Sequence, residues 1–315
     1  MSPIDELQKR IDELIQSIGL NIGSAENDIR LIVYQILDYY SYRGVLRSDN
    51  TDFKLLRDLE FAIDNAITKS GYFDDIQKLI DTIEEIETVT KETIVQTNKK
   101  VDFTADVVNL TQEKKMAIDG IVSRLSAPEA IKINITLELK QVIYRSIKSG
   151  VTLQEAKNAI SPLIVGDSAR GGSLSRYYGT IATDTLNQFQ GVVSQEVSNS
   201  YGLIDFMYAG ELKTTSRPQC IRWAGDMGGR LVKEIVEFEM KRALPSVRRS
   251  NDLFKGYSVY AIPSVANFPI IRGGHNCRHT AIPYLAEVEE ADQIIKKFNG
   301  IYSTMLLQKY KKFRE

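Results

Sequence analysis

Cysteine and histidine are nearly missing from this chain, with two of each in 315 residues. Two cysteines exclude a disulfide framework. Eight prolines and twenty glycines are too few for a low-complexity chain. No apolar run approaches the roughly 18 residues that a membrane-spanning helix needs. The N-terminus carries Asp5, Glu6, Asp12 and Glu13 on an amphipathic pattern, without the basic start and continuous apolar stretch of a secretory signal. The expectation is a protein made in the cytosol with no membrane association. What is present is ordinary for a folded protein: 43% hydrophobic and 26% charged residues. The length suits two domains, or one domain with a helical extension.

Charge is plentiful and unevenly spread along the sequence. Residues 1–127 hold 15 Lys and Arg against 23 Asp and Glu, a balance of −8; residues 128–315 hold 25 against 18, a balance of +7. Such a split suits an acidic half facing other protein and a basic half facing a polyanion such as DNA. It also suits two ordinary solvated surfaces.

Apolar spacing predicts a mainly helical chain with a small α+β module near its C-terminal end. Ile4, Leu7, Ile11, Leu14, Ile15 and Ile18 fall on one stripe, and Ile29, Ile32, Ile36, Tyr39 and Tyr40 line a second helix behind Ser24. Leu55, Leu59, Ile63 and Ile67 mark a third, closed by Gly71. Ile76, Leu79, Ile83, Ile86 and Thr90 trace a short seam suited to packing along a neighbour. The polar stretch 88–100 reads as an extended arm or an exposed helix, and Ala127-Pro128 as a boundary. A helix over 128–148 follows, then a capping box at Thr152-Leu153-Gln154-Glu155 opening a helix that stops before Pro162. A glycine-rich loop leads to a long helix ending near Ser198. After Gly202 the texture changes: strands over 203–208 and 281–285, a short helix over 234–243, strong turn signals between them, and a last helix over 287–298 with a basic tail. The expected organisation is an acidic helical arm or bundle (1–127), a helical region (128–202), a small α+β module (203–286), and a C-terminal helix with tail (287–315).

All the scarce side chains gather in that module. Cys220, His275, Cys277 and His279 lie within 60 residues, three of them in Gly273-Gly274-His275-Asn276-Cys277-Arg278-His279. Three arrangements fit. The four form a zinc set by residue type, although on an extended strand the ends of 275–279 lie about 13 Å apart, so a turn is needed between them. Cys220 and Cys277 pair as a disulfide, against the usual state of cytosolic thiols. In the third and favoured arrangement, Arg217, Arg222 and Arg278 tie loop carbonyls or a carboxylate with their planar forks. The cysteines are then small buried fillers. His275 and Cys277 are one residue apart, too close for the imidazole to turn onto the thiol. No nucleophile elbow, phosphate loop or paired-carboxylate motif is present.

These residues resemble the phage Mu F-like minor head proteins, the phage head-morphogenesis family. Thr215-Ser216-Arg217 with Cys220 is similar to the family's first block, followed by Gly225. Phe268-Pro269 leads into His275-Asn276-Cys277-Arg278-His279, similar to its closing block. Upstream, 143–160 and Ile181-Ala182-Thr183-Asp184 resemble its preceding helices. Thr215 stands where the family has aspartate, Asn276 where it has proline, and His279 where it has the last cysteine. The resemblance covers residues 130–285. It implies a non-enzymatic, low-copy head component in the virion, present in the host cytoplasm during assembly. Its partners would be the portal and capsid proteins, with several copies around the portal, and packaged double-stranded DNA. No cofactor is required on this reading, although zinc remains compatible with the Cys/His set. Candidate DNA contacts are Lys241, Arg242, Arg248, Arg249, Lys255, Lys309, Lys311 and Lys312. The competing functions are a metal-dependent nuclease, from the loose likeness of His-Asn-Cys-Arg-His to a His-Asn-His motif, and a toxin-like nucleotide-modifying enzyme.

Overall fold

A computed structural model describes residues 3–17, 22–46, 52–104, 108–214, 216–241, 268–271 and 279–312. The elements follow the apolar periodicity. Helix α1 (Pro3–Ser17) buries Ile4, Leu7 and Ile11, and α2 (Ile22–Tyr39) buries Ile29, Val33 and Leu37. A two-strand hairpin, β1 (Ser41–Tyr42) and β2 (Val45–Leu46), precedes α3 (Asp52–Lys69) and the long α4 (Tyr72–Thr97). Helix α5 (Thr111–Ile121) loosens into a π-helical turn (Val122–Ser126) that stops at Ala127, which is extended ahead of Pro128. Helix α6 (Pro128–Ile131), a second π turn (Lys132–Thr136) and α7 (Leu137–Ser149) continue one another. After α8 (Leu153–Ile164) and α9 (Ser173–Tyr201) comes the mixed region: β3 (Asp205–Ala209), α10 (Pro218–Cys220) with a π turn (Ile221–Asp226), and β4 (Arg230–Leu231). It continues with α11 (Lys233–Lys241), α12 (Phe268–Ile271), β5 (Thr280–Tyr284) and α13 (Val288–Lys312). The class is therefore mainly α with a small α+β part.

The chain divides into two compact units, each assembled from separated stretches. The first comprises residues 1–13, 83–117 and 183–315, the second 14–82 and 118–182. This departs from the expected contiguous boundaries, and residues 1–127 are not a separate arm. The reason is specific pairing. In the first unit, Thr280 at the start of β5 donates to the side-chain oxygen of Gln8 on α1. Asn98, just past α4, donates to Pro283 O (3.0 Å) and accepts from Leu285 N (2.9 Å). Lys100 pairs with Glu287. The charge split goes with the boundary. The first unit holds 25 Lys and Arg against 25 Asp and Glu, the second 15 against 16.

The sheet of the first unit has order β4-β3-β5, all antiparallel, with Asp205 opposite Tyr284 and Ala209 opposite Thr280. Strand β5 lies at the edge, where Pro283 forgoes no ladder bond, and the Asn98 amide caps its outer side as a further strand would. Asp205 accepts Lys233 N (2.9 Å) on one oxygen and Ala286 N (3.1 Å) on the other, holding the start of α11 and the approach to α13. Burial raises its carboxyl above the ordinary range. Asn98→Ala removes both edge bonds and leaves the buried Pro283 carbonyl unpaired, a loss of about 1–3 kcal/mol. Chemical denaturation checks it.

In the second unit, Leu55, Leu59, Ile63 and Ile67 are buried along α3 as their spacing predicts. The expected box opens α8: Glu155 N donates to Thr152 Oγ1 (3.2 Å) and Thr152 N to the Glu155 carboxylate (2.8 Å). Lys132 (2.7 Å) and Lys140 both meet Glu60, and these bonds hold its carboxyl below the usual glutamate range. A depressed acid stabilises the fold above its unfolded pKa and ceases to as pH falls through the folded one. Glu60→Gln should therefore lower the melting temperature at neutral pH. The gap to the parent should close as pH drops below about 4.3, the ordinary glutamate value.

Several local expectations are corrected. Tyr39 is 77% exposed while Tyr40 is buried, because the inward stripe of α2 runs through Val33 and Leu37 instead of Ile32 and Ile36. The stretch 88–100 is no extended arm. It completes α4 with Thr90, Ile94 and Asn98 buried. Pro162 lies inside α8, and α13 runs far beyond residue 298. Strand β4 and the β1–β2 hairpin are too short to leave a periodic signature.

Candidate functional site

Strand β3 turns Phe206 and Tyr208 into one aromatic core, and of the residues singled out in the module Cys220 and His279 meet at Tyr208. Behind the extended Arg217 (φ −67°, ψ 148°), Pro218 opens a helical turn whose missing N–H costs nothing at that position. The turn widens at once: Met227 N donates to Arg222 O at 2.7 Å. The widened turn places Cys220 and Trp223 inward, 2% and 1% exposed. The Tyr208 hydroxyl donates to Cys220 Sγ at 3.3 Å. On its ring face lies the His279 imidazole, 5.1 Å away and 11° from parallel. Trp223 meets the same ring edge-on at 5.2 Å and 88°. Phe268 from α12 fills the remaining side, 5.1 Å from Phe206 and 5.4 Å from Trp223.

Two glycines make this packing possible. Gly210 follows β3, and a Cβ there would lie 2.7 Å from His279 Cδ2. Its missing side chain is the space the imidazole occupies. Gly229 has φ +76°, accepts Tyr208 N at 2.6 Å through its carbonyl, and would place a Cβ 2.4 Å from Tyr208 O. Gly229→Ala should cost more than the roughly 1–2 kcal/mol of a left-handed backbone alone, since the strand must also shift. A lowered denaturation midpoint checks this.

The arginine expectation holds for Arg222. Its guanidinium grips Glu239 of α11 through two bonds, Nε–Oε1 at 3.2 Å and an Nη at 2.5 Å from Oε2, with the side chains 18% and 7% exposed. Arg217 contributes its carbonyl, which accepts Ile221 N at 3.0 Å. Thus Cys220 and His279 meet across Tyr208, and Arg222 braces the turn that carries Cys220. His275, Cys277 and Arg278 lie outside the described residues. The zinc arrangement needs two of those, and among the described residues no group of three metal-ligating side chains forms.

Comparisons with protein-family models, curated proteins and solved structures found no match.

Of the expected DNA contacts, Lys241 ends α11, and Lys309, Lys311 and Lys312 are part of α13 instead of a free tail. Arg242, Arg248, Arg249 and Lys255 lie outside the described residues. Tyr208, Gly210 and Glu239 were not singled out from the sequence, and Phe268 was read only as part of the approach to the closing block. Gly210 alone carried a signal, as a glycine directly after an apolar strand. Nothing in the spacing links residue 208 to 279 or 222 to 239.

Proposed function

We propose that the chain is a non-enzymatic minor component of a bacteriophage head, associated with the portal vertex and acting in head assembly and DNA packaging or ejection. The observation that supports this reading is the meeting of the two motif blocks. Cys220, from the block similar to the family's first, and His279, which ends the block similar to its last, pack on the hydroxyl and the ring face of one tyrosine. On this reading the module is a rigid decoration, in which Cys220 and His279 are buried for packing.

The portal and capsid proteins are the proposed partners, in several copies around the vertex, and packaged duplex DNA the proposed third contact. The contact with DNA is assigned to the basic residues of 241–255 and 309–312, since neither compact unit carries a net positive charge that would attract DNA as a whole. The test uses the full chain, because residues 1–127 lack the β5 partners of Gln8 and Asn98. Peptides of this chain should be found at low copy in purified virions of the phage that encodes it, and the immobilised chain should retain that phage's portal protein. Plasmid incubated with it and divalent metal should stay intact. Absence from virions together with failure to hold the portal protein, or cleavage of the plasmid, would overturn the proposal.

A further inference from the structure

We propose that Glu26 is a proton switch within the second unit: with a proton bound it ties the end of α8 to the start of α9, and without one it leaves an unhydrated charge at that junction. The proposal does not rest on the assignment above.

Glu26 lies on α2 and is 4% exposed. Its Oε1 accepts Ser175 N at 2.8 Å, across 149 residues of sequence. That N–H belongs to the first turn of α9, where a helix leaves four donors without an internal partner. The space beside the carboxylate is about 10 Å³, at the limit for one water molecule. Its apolar walls are Ile29, Ile135, Leu139, Leu163, Ile164 and Leu174. Gly172 shows how closely the junction is packed. A Cβ there would lie 1.9 Å from Ile164 O and 2.4 Å from Glu26 Oε1. The two oxygens are therefore no further apart than those distances together. Ile164 ends α8, so its carbonyl is one of the acceptors the helix itself leaves unused.

While Glu26 is ionised, it can only accept, and it faces another acceptor. A bound proton changes this. One carboxyl oxygen keeps Ser175 N, and the new O–H reaches Ile164 O after a small rotation of the group. The charged groups that face Glu26 are few. Arg176 of α9 favours the ionised form, but it is exposed, and its guanidinium donates to Ser173 Oγ (3.1 Å) and Gly172 O (3.4 Å). Glu138 of α7 joins the same helix start by accepting Ser173 Oγ at 3.0 Å. From α8 the space receives only Leu163 and Ile164. Burial outweighs the Ser175 bonds and Arg176, and pushes the Glu26 carboxyl above its ordinary range. A raised acid costs the fold stability as pH climbs from the unfolded pKa through the folded one, and costs nothing below that window.

Thermal denaturation of the full chain and of its Glu26→Gln variant across pH is the test. Glutamine copies the protonated acid, with an oxygen for Ser175 N and an amide N–H for Ile164 O. The variant should melt above the parent at neutral pH, by roughly 2–4 °C. The gap should close as pH falls through the raised value to about 4.3, the ordinary one. The sign is opposite to that expected of Glu60→Gln, so a general effect of removing a carboxylate is told apart. In the parent, the carboxyl carbon resonance of Glu26 and the amide proton of Ser175 should titrate together, with a midpoint above the ordinary value. A variant that melts at or below the parent at neutral pH, or a gap that does not change with pH, would overturn the proposal. So would a Glu26 midpoint at or below the ordinary value, a measurement that stands even where the variant does not fold.

Discussion

Arg222→Ala should be among the most damaging substitutions in the chain, lowering stability by about 3–5 kcal/mol. Removing the guanidinium leaves Glu239, whose side chain is only 7% exposed, as an uncompensated buried carboxylate. The cost lies in that desolvated charge more than in the two lost bonds. The double substitution Arg222→Met with Glu239→Leu, which removes both charges and keeps the volume, should therefore recover most of the loss. Equilibrium denaturation of the two variants checks it. A double variant as unstable as Arg222→Ala would show that the pair matters for its geometry and not for charge neutralisation.

Phe268→Ala should be of the same order, about 3–5 kcal/mol. Phe268 is fully buried, and its ring touches Phe206, Tyr208 and Trp223 at centroid distances of 5.1, 6.0 and 5.4 Å. Its backbone belongs to a helix of only four residues, so little regular structure holds α12 in place once the ring is gone. Trp223 is the only tryptophan in the chain and lies in the same cluster, so its fluorescence reports this core directly. The expected result is an earlier denaturant midpoint and a red-shifted, more solvated emission before the helical signal is lost. An unchanged Trp223 transition would mean that α12 contributes little to the core.

The helices were legible where one face repeats every three or four residues over several turns. The α3 stripe, the α4 seam and the Thr152 box are all found as read. Legibility fell where two registers compete: on α2, Ile32 and Ile36 offer as good a pattern as Val33 and Leu37, and only tertiary packing selects the latter. Polar stretches misled for a related reason. Asn98 looks solvent-facing by composition, yet it is buried because its amide completes a strand edge more than 180 residues away in sequence. The candidate site was legible as a set of scarce residues and not as a structure. Cys220 and His279 could be grouped by rarity, but the tyrosine between them is one of fifteen. Nor does any local rule mark Glu239 out from the other acids of α11. The same limit applied to charge. The sequence halves differ by fifteen charges, whereas the spatial units are nearly neutral, since folding interleaves the two halves.

That interleaving has a consequence for how the molecule is made. The acceptor on Gln8 waits for Thr280, and the amide of Asn98 for Pro283, so these two long-range bonds cannot form until the chain has been made through residues 280–283. Closing loops of that span comes late and slowly. Translation arrested before residue 280 should yield chains in which α3 and α7 are already docked while the sheet edge stands open, and such chains are the ones a chaperone or protease would meet first.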